Sequence, residues 1–167
     1  MAIRLDANGA WSAREALAAL RALAAAGIEL CEEPAHGIEQ IAELAELTDT
    51  PLAIDESAAA PGALERRFSD AMCLKVSRCG GISGLLEAAG RARAVGYQLY
   101  LASTLDGPLG IAAALHAATV IRPDRPCGLA TLGLFADRPE LVSPRDGRLA
   151  PPGGRGLGAG LSDWYHA

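Results

Sequence analysis

Residues 52–57 read LAIDES, a short apolar run that ends at Asp55, and this stretch decides the fold because its arrangement recurs along the chain. Apolar runs also stop at Asp6, at Glu32 and at Lys75. The intervals between these four polar residues are 26, 23 and 20 residues, and each fits one strand, one helix and two short loops. The pattern predicts an α/β fold with a parallel sheet and right-handed crossovers.

The repeat continues beyond Lys75. Further apolar runs end near Ser103 and in a last short strand from Cys127 to Ala130, which gives about six βα units. A capping box predicts that the first helix begins after Ser12. We also expect a short helix from Pro61 to Phe68. Such a series of units predicts a parallel sheet, the arrangement from which (β/α) barrels are built.

Length and composition limit the organisation of the chain. It has 167 residues, of which half are hydrophobic, so we expect one barrel-like domain over residues 1–150 and a Pro- and Gly-rich tail over residues 151–167. The net charge of −5 argues against a nucleic acid or an anionic membrane as partner. The sequence suggests neither a signal peptide nor a transmembrane span, and its four cysteines form no C-x-x-C pair. These features predict a cytoplasmic protein with reduced thiols.

The positive charges are unusually distributed. The chain has 14 arginines and a single lysine, Lys75. Arginine does not release its proton near neutral pH, whereas lysine does. The lone lysine is therefore a candidate proton carrier, although chance alone also explains a single lysine.

The three carboxylates share one position in the repeat. Asp6, Glu32 and Asp55 each stand where a strand ends, and in a parallel barrel that edge of the sheet carries the active site. Three close negative charges repel one another unless a cation lies between them. Oxygen ligands favour Mg²⁺, with Mn²⁺ as a substitute. The alternative is that each acid caps the following helix or pairs with an arginine.

Six strings carry a family resemblance. LDANGAW at 5–11, ELCEEP at 29–34, LAIDES at 52–57 and LKVSRCGGISG at 74–84 resemble the metal-ligand and catalytic-lysine strands of the enolase superfamily, in its muconate-lactonizing branch. ASTLDGPLGIAAALHAA at 102–118, together with CGLATLGLF at 127–135, is most similar to actinobacterial o-succinylbenzoate synthases.

The resemblance implies a site and a reaction. It places the Mg²⁺ ligands at Asp6, Glu32 and Asp55 and the catalytic lysine at Lys75. It further implies a small carboxylate substrate whose α-proton is removed to give a metal-stabilised enediolate. The dehydration step of menaquinone biosynthesis is the leading activity, and an N-acylamino acid racemase or dipeptide epimerase is the alternative.

Other residues are candidates for supporting roles. Asn8 and Glu56 are expected to orient the metal ligands. Arg78 either adjusts the proton affinity of the lysine or pairs with a loop carboxylate. Ser103 and Thr104 either contact a substrate carboxylate or cap the following helix. Glu33 is expected to point away from the metal and to make a structural contact.

The chain departs from the family pattern in two ways. It lacks the K-x-K string that supplies a second lysine in the branch, and its units correspond to strands 3–8 of the family barrel, without the first two strands and the capping domain. An open sheet would leave unpaired edges. We therefore expect an N-terminal portion or a second chain to complete the barrel, and a chain that is catalytically silent without this complement is a third functional alternative.

Overall fold

A computed structural model of the chain describes residues 2–166. Strands and helices alternate along it in the predicted manner. The strands and α-helices are β1 (Ile3–Asp6), α1 (Ala13–Leu23), β2 (Ile28–Glu32), α2 (Ile38–Ala45), β3 (Leu52–Ile54), β4 (Ala71–Leu74), α3 (Ile82–Ala94), β5 (Gln98–Leu101) and α4 (Pro108–Ile121). Short 3₁₀ helices cover Ala24–Ala26, Glu56–Ala59, Leu132–Leu134 and Leu161–Tyr165.

The strands form a five-stranded sheet in the order β1-β2-β3-β4-β5. Each of the first three strands pairs in parallel with the next one. At β5, the backbone N–H of Gln98 donates to the carbonyl of Asp70 at 3.0 Å, and that of Ala102 donates to the carbonyl of Leu74 at 3.2 Å. Strand order therefore follows chain order, as successive right-handed βα units require.

The number of strands differs from the prediction of about six units. In the predicted strand from Cys127 to Ala130, only Gly128 forms a bridge, to Ala102. Pro126 precedes this run and has no backbone N–H to donate to a ladder. The sixth run therefore contacts the sheet at one point without extending it as a strand.

The predicted helix from Pro61 to Phe68 is also wrong. Residues 61–65 form turns and residues 66–68 are irregular, and the helical segment of this connection is the 3₁₀ helix at Glu56–Ala59. Ala60 is extended (φ −68°, ψ 146°), as expected of a residue before proline. Gly62 has a φ of +85°, which is outside the right-handed helical region.

Backbone contacts divide the chain into two compact units, Met1–Cys73 with Gly90–Leu99, and Leu74–Ala89 with Tyr100–Ala167. In the first unit, α1 begins at the predicted capping box: the Ser12 hydroxyl accepts from the Glu15 N–H, and the Glu15 carboxylate accepts from the Ser12 N–H. The core of this unit is aliphatic. Its fully buried large side chains include Leu20, Leu30, Ile41, Leu44, Leu52, Ile54 and Met72.

The second unit is organised around α4, a helix with buried residues on most of its sides. The 3₁₀ helix at Leu161–Tyr165 contacts α4. The Trp164 ring is buried and meets the Phe135 ring edge to face, with 5.1 Å between the ring centroids. A Cβ atom on Gly107 would lie 2.5 Å from the Tyr165 hydroxyl, so a larger residue at this position would have to displace the Tyr165 ring. The segment at Leu161–Tyr165 thus packs against α4.

No helix within residues 2–166 combines the length and the apolarity that crossing a bilayer requires.

Core packing in the first unit gives a test of the fold. Ile41 is fully buried, and Ile41→Ala is expected to lower the free energy of unfolding by about 2–5 kcal/mol through lost burial and a residual cavity. Leu47→Ala is the matched control, because Leu47 is 56% exposed, and it should change the free energy by no more than about 0.5 kcal/mol. Urea unfolding followed by circular dichroism measures both. Equal effects of the two variants would contradict the packing described here.

Candidate metal centre

Parallel pairing brings the first two predicted ligands to neighbouring positions. In the register of β1 and β2, Asp6 lies opposite Glu32, and the N–H of Ala7 donates to the Glu32 carbonyl at 3.1 Å. Asp6 is exposed, and its Oδ1 accepts a hydrogen bond from the Asn8 N–H at 2.9 Å. Asn8 thus contacts Asp6 through its backbone, in a turn where its φ is +48°.

Glu32 and Asp55 come together with a residue that the sequence did not single out as a ligand. One donor atom each of Glu32, Asp55 and Cys73 lie within 4.8 Å of one another. Asp55 and Cys73 are buried, and Glu32 is half-buried. Asp6 is not one of the donors that converge there among residues 2–166. We call Glu32, Asp55 and Cys73 the donor cluster.

The strand register explains why Cys73 joins the cluster. Ala53 pairs with Ala71 and Ile54 with Met72, so the next positions in the two strands are Asp55 and Cys73. The sequence indicated only a buried reduced thiol at this position, and Cys73 is indeed buried and outside any disulfide. No local sequence signal marks it as a donor, because the alignment of β3 with β4 is a tertiary property.

Glu33 holds the backbone next to the cluster. Its carboxylate accepts from the N–H of Asp55 at 2.8 Å, from the N–H of Ser57 at 3.1 Å, and from the Ser57 hydroxyl. It is only 1% exposed, and its φ of +40° is uncommon for a residue other than glycine. This is the structural contact expected for Glu33, and it fixes the segment that carries Asp55.

Burial and the neighbouring acids both raise pKa values next to the cluster. Burial, followed by the charges of Asp6 and Glu32, raises the pKa of the Cys31 thiol to about 11. Burial also raises the pKa of Glu33 against the opposing effect of its hydrogen bonds, and the charge of Glu56 adds to the rise. Negative groups that disfavour further negative charge attract a cation. Two carboxylates and a thiol in one cluster are a suitable donor set for a divalent metal ion.

Glu56, which the sequence predicts to support the metal ligands, is exposed at the start of its 3₁₀ helix in the first unit. The remaining predicted site residues lie in the second unit. The carbonyl of Lys75, directly after β4, accepts from the N–H of Arg78 at 3.1 Å and from that of Cys79 at 3.0 Å. This turn fixes the backbone of Lys75, whose side chain is half-exposed. Arg78 is exposed in the same turn.

Ser103 and Thr104 belong to a set of hydroxyl contacts after β5. Ser103 Oγ lies 2.8 Å from Thr131 Oγ1, and Thr104 Oγ1 lies 3.0 Å from Ser77 Oγ. Thr104 also donates to Asp106 through its N–H and its hydroxyl, each at 3.0 Å. Neither residue caps α4, which begins at Pro108 after Gly107 without a side-chain cap. The sequence did not point to Ser77, Asp106 or Thr131.

The buried contacts of Glu33 lead to a prediction. Glu33→Ala leaves the N–H groups of Asp55 and Ser57 without their acceptor, which is expected to cost about 1–3 kcal/mol of unfolding free energy. Glu43→Ala, an exposed site on α2, is the control and should be nearly neutral. Thermal unfolding of the two variants measures the difference. A neutral Glu33→Ala would show that these hydrogen bonds do not hold the segment.

Comparisons with known proteins agree on one family. A curated o-succinylbenzoate synthase from Mycobacterium tuberculosis is 43% identical to this chain over 155 residues. The one from Mycobacterium marinum is 39% identical over 156 residues. Both alignments cover 89% of this chain and 47% of the relative, so the chain spans about half the length of the curated relatives it matches.

Solved structures show the same likeness. A muconate lactonizing enzyme from Klebsiella pneumoniae superposes with a TM-score of 0.88 at 31% identity, covering 99% of this chain and 49% of that one. The L-Ala-D/L-Glu epimerase from Bacillus subtilis superposes with a TM-score of 0.84 at 31% identity, covering 95% and 47%. These likenesses confirm the predicted α/β partial-barrel fold. The enolase C-terminal domain-like family model matches residues 1–164, and the chain belongs to this family.

Proposed function

We propose that this chain carries the metal-binding and proton-transfer residues of an enzyme that removes the proton α to a carboxylate, as an o-succinylbenzoate synthase does in menaquinone biosynthesis. The observation that carries the proposal is the convergence of Glu32 and Asp55 at neighbouring strand ends, in a chain 43% identical to o-succinylbenzoate synthases. The relatives are enzymes, and the substrate class follows from their names. On this proposal, a small carboxylate is the partner and the protein works in the cytoplasm.

Glu32 and Asp55 would hold a Mg²⁺ ion, which Mn²⁺ can replace, and Asp6 would complete the carboxylate set. The register that places Asp6 opposite Glu32 supports the role of Asp6. The ion, when bound, would stabilise the negative charge that develops on the substrate carboxylate as the proton leaves. Glu33 supports the site by fixing the backbone of Asp55, while Asn8 and Glu56 flank the ligands in sequence.

Lys75 is our candidate for moving the proton. It is the single lysine beside 14 arginines, and it matches the family's catalytic lysine in the string LKVSRCGGISG. A neutral amine accepts the α-proton, and the ammonium so formed can protonate the departing hydroxyl, which leaves as water; a guanidinium does not accept the proton. Arg78 would modulate this exchange through its positive charge. Ser103 and Thr104 would contact substrate oxygens through their hydroxyls. Ser103 is half-exposed, and Thr104, which is exposed, would turn its hydroxyl proton away from Asp106 to do so.

Two alternatives follow from specific observations. The likeness to the Bacillus subtilis L-Ala-D/L-Glu epimerase supports a racemase or dipeptide epimerase, which shares the proton-abstraction step. The coverage of 47% of the synthases supports a chain that needs an N-terminal portion or a second chain before it acts. A racemase gives loss of optical rotation in an acylamino acid without a new ultraviolet chromophore, whereas the synthase forms an aromatic product.

The activity assay is designed around these alternatives. The chain is tested alone and mixed with a separately expressed N-terminal half of the Mycobacterium tuberculosis synthase, with Mg²⁺ present. We expect formation of the aromatic product, measured by ultraviolet absorbance, in at least the mixture. Exchange of the α-proton of an acylamino acid with deuterium, in place of dehydration, would favour the epimerase. Inactivity of both samples on both substrates would contradict the proposal.

Substitution of Lys75 tests the proton carrier. Lys75→Ala is expected to lower turnover on the order of 10²–10⁴-fold, the usual contribution of a positioned acid–base group. Lys75→Arg keeps the positive charge and should be equally inactive, because arginine retains its proton. Binding of Mn²⁺, followed by electron paramagnetic resonance, should be unchanged in both variants. Activity of Lys75→Arg close to the unsubstituted level would remove Lys75 from the proton-transfer step.

A further inference from the structure

The donor cluster contains a sulfur atom where the proposed site calls only for oxygen. Cys73 is 1% exposed, and its Sγ lies within 4.8 Å of carboxylate oxygens of both Glu32 and Asp55. Neither the proposed reaction nor the resemblance assigns this thiol a role. Its position nevertheless makes it a neighbour of any ion that Glu32 and Asp55 share.

The spacing is compatible with one ion shared by the three residues. In the tetrahedral arrangement usual for such an ion, with thiolate sulfur at about 2.3 Å and carboxylate oxygen at about 2.0–2.2 Å from the metal, the ligand atoms are about 3.6 Å apart. The donors of the cluster already lie within 4.8 Å of one another. Side-chain torsions would therefore have to bring the three donor atoms closer by up to about 1 Å when the ion binds.

Sulfur changes which ion the site favours. Mg²⁺ takes oxygen ligands in near-octahedral geometry and gains little from a thiolate, whereas Zn²⁺ and Cd²⁺ bind thiolates strongly. We infer that Cys73 is a sulfur ligand in this site, so that a thiophilic divalent cation binds to Glu32, Asp55 and Cys73 more tightly than Mg²⁺ does and displaces it. The thiol releases its proton to solvent as the metal–sulfur bond forms. The inference rests on the proposed function, since it concerns the same cation site.

The other thiols serve as internal controls. Cys31 precedes Glu32 in β2 and is not one of the clustered donors within residues 2–166. Cys79 and Cys127 are half-exposed and belong to the second unit, where the N–H of Leu101 donates to the Cys127 Sγ. Substitution of Cys79 therefore removes a more accessible thiol and leaves the donor cluster intact.

The test uses the full chain and CdCl₂ as the probe. A Cd²⁺–thiolate bond gives an ultraviolet charge-transfer band, which reports sulfur ligation without any activity assay. The unsubstituted chain and Cys79→Ser should both develop the band. In Cys73→Ser the band should be lost, and Cd²⁺ affinity should fall by at least about tenfold, a loss seen even for groups that only orient a ligand. Asp55→Asn should weaken the same band.

Competition separates this inference from the proposed function. Mn²⁺ binding is followed by electron paramagnetic resonance, with Zn²⁺ added as competitor. Zn²⁺ should displace Mn²⁺ from the unsubstituted chain at lower concentration than from Cys73→Ser. If Mn²⁺ binds and requires Asp55, but Zn²⁺ competes equally with both chains, the inference fails while the proposed site stands. If no divalent ion requires Asp55, both fail. Cys73→Ala, which adds no hydroxyl to the core, repeats the comparison if Cys73→Ser does not fold.

Discussion

Parallel pairing of β1, β2, β3 and β4 places the carboxyl ends of neighbouring strands along one edge of the sheet, and the candidate site depends on this constraint. Residues far apart in the chain become neighbours because each βα unit returns the backbone to the same edge. Asp6 lies opposite Glu32 in this way, and Asp55 meets Cys73. This arrangement concentrates negative charge, and the charges of Asp6 and Glu32 add to the effect of burial, which is the larger cause of the raised pKa of the Cys31 thiol.

A second layer of contacts keeps these ends in place. Glu33 turns its carboxylate inward from a left-handed backbone position and binds the segment that carries Asp55 and Ser57. A buried carboxylate is tolerated because three donors satisfy it. Adjacent glutamates in the E-E-P string therefore have different tasks: Glu32 contributes a donor to the cluster, and Glu33 supports the loop. Exchanging the two roles would require shifting the strand by one residue, which reverses the face of every side chain.

The donor cluster links the fold to metal selectivity. A carboxylate pair alone favours a hard cation, but the thiol of Cys73 adds a softer ligand to the same position. The same strand register that assembles the proposed site would thus also determine the sensitivity to thiophilic ions that we infer. The hydroxyl contacts of Ser103 and Thr104 in the second unit form a separate group, held by Thr131, Ser77 and Asp106.

The sequence by itself determined the alternation of strands and helices, the capping box at Ser12 and the positions of the acids at strand ends, because periodicity and capping are local properties of the chain. The sequence overestimated the number of strands, because the single bridge at Gly128 does not form a sixth strand. Only the tertiary structure decided that Cys73 joins Glu32 and Asp55 while Asp6 stays outside their cluster. The physical reason is register: which residues of two strands face each other depends on how the strands align, and no segment of sequence encodes that alignment alone.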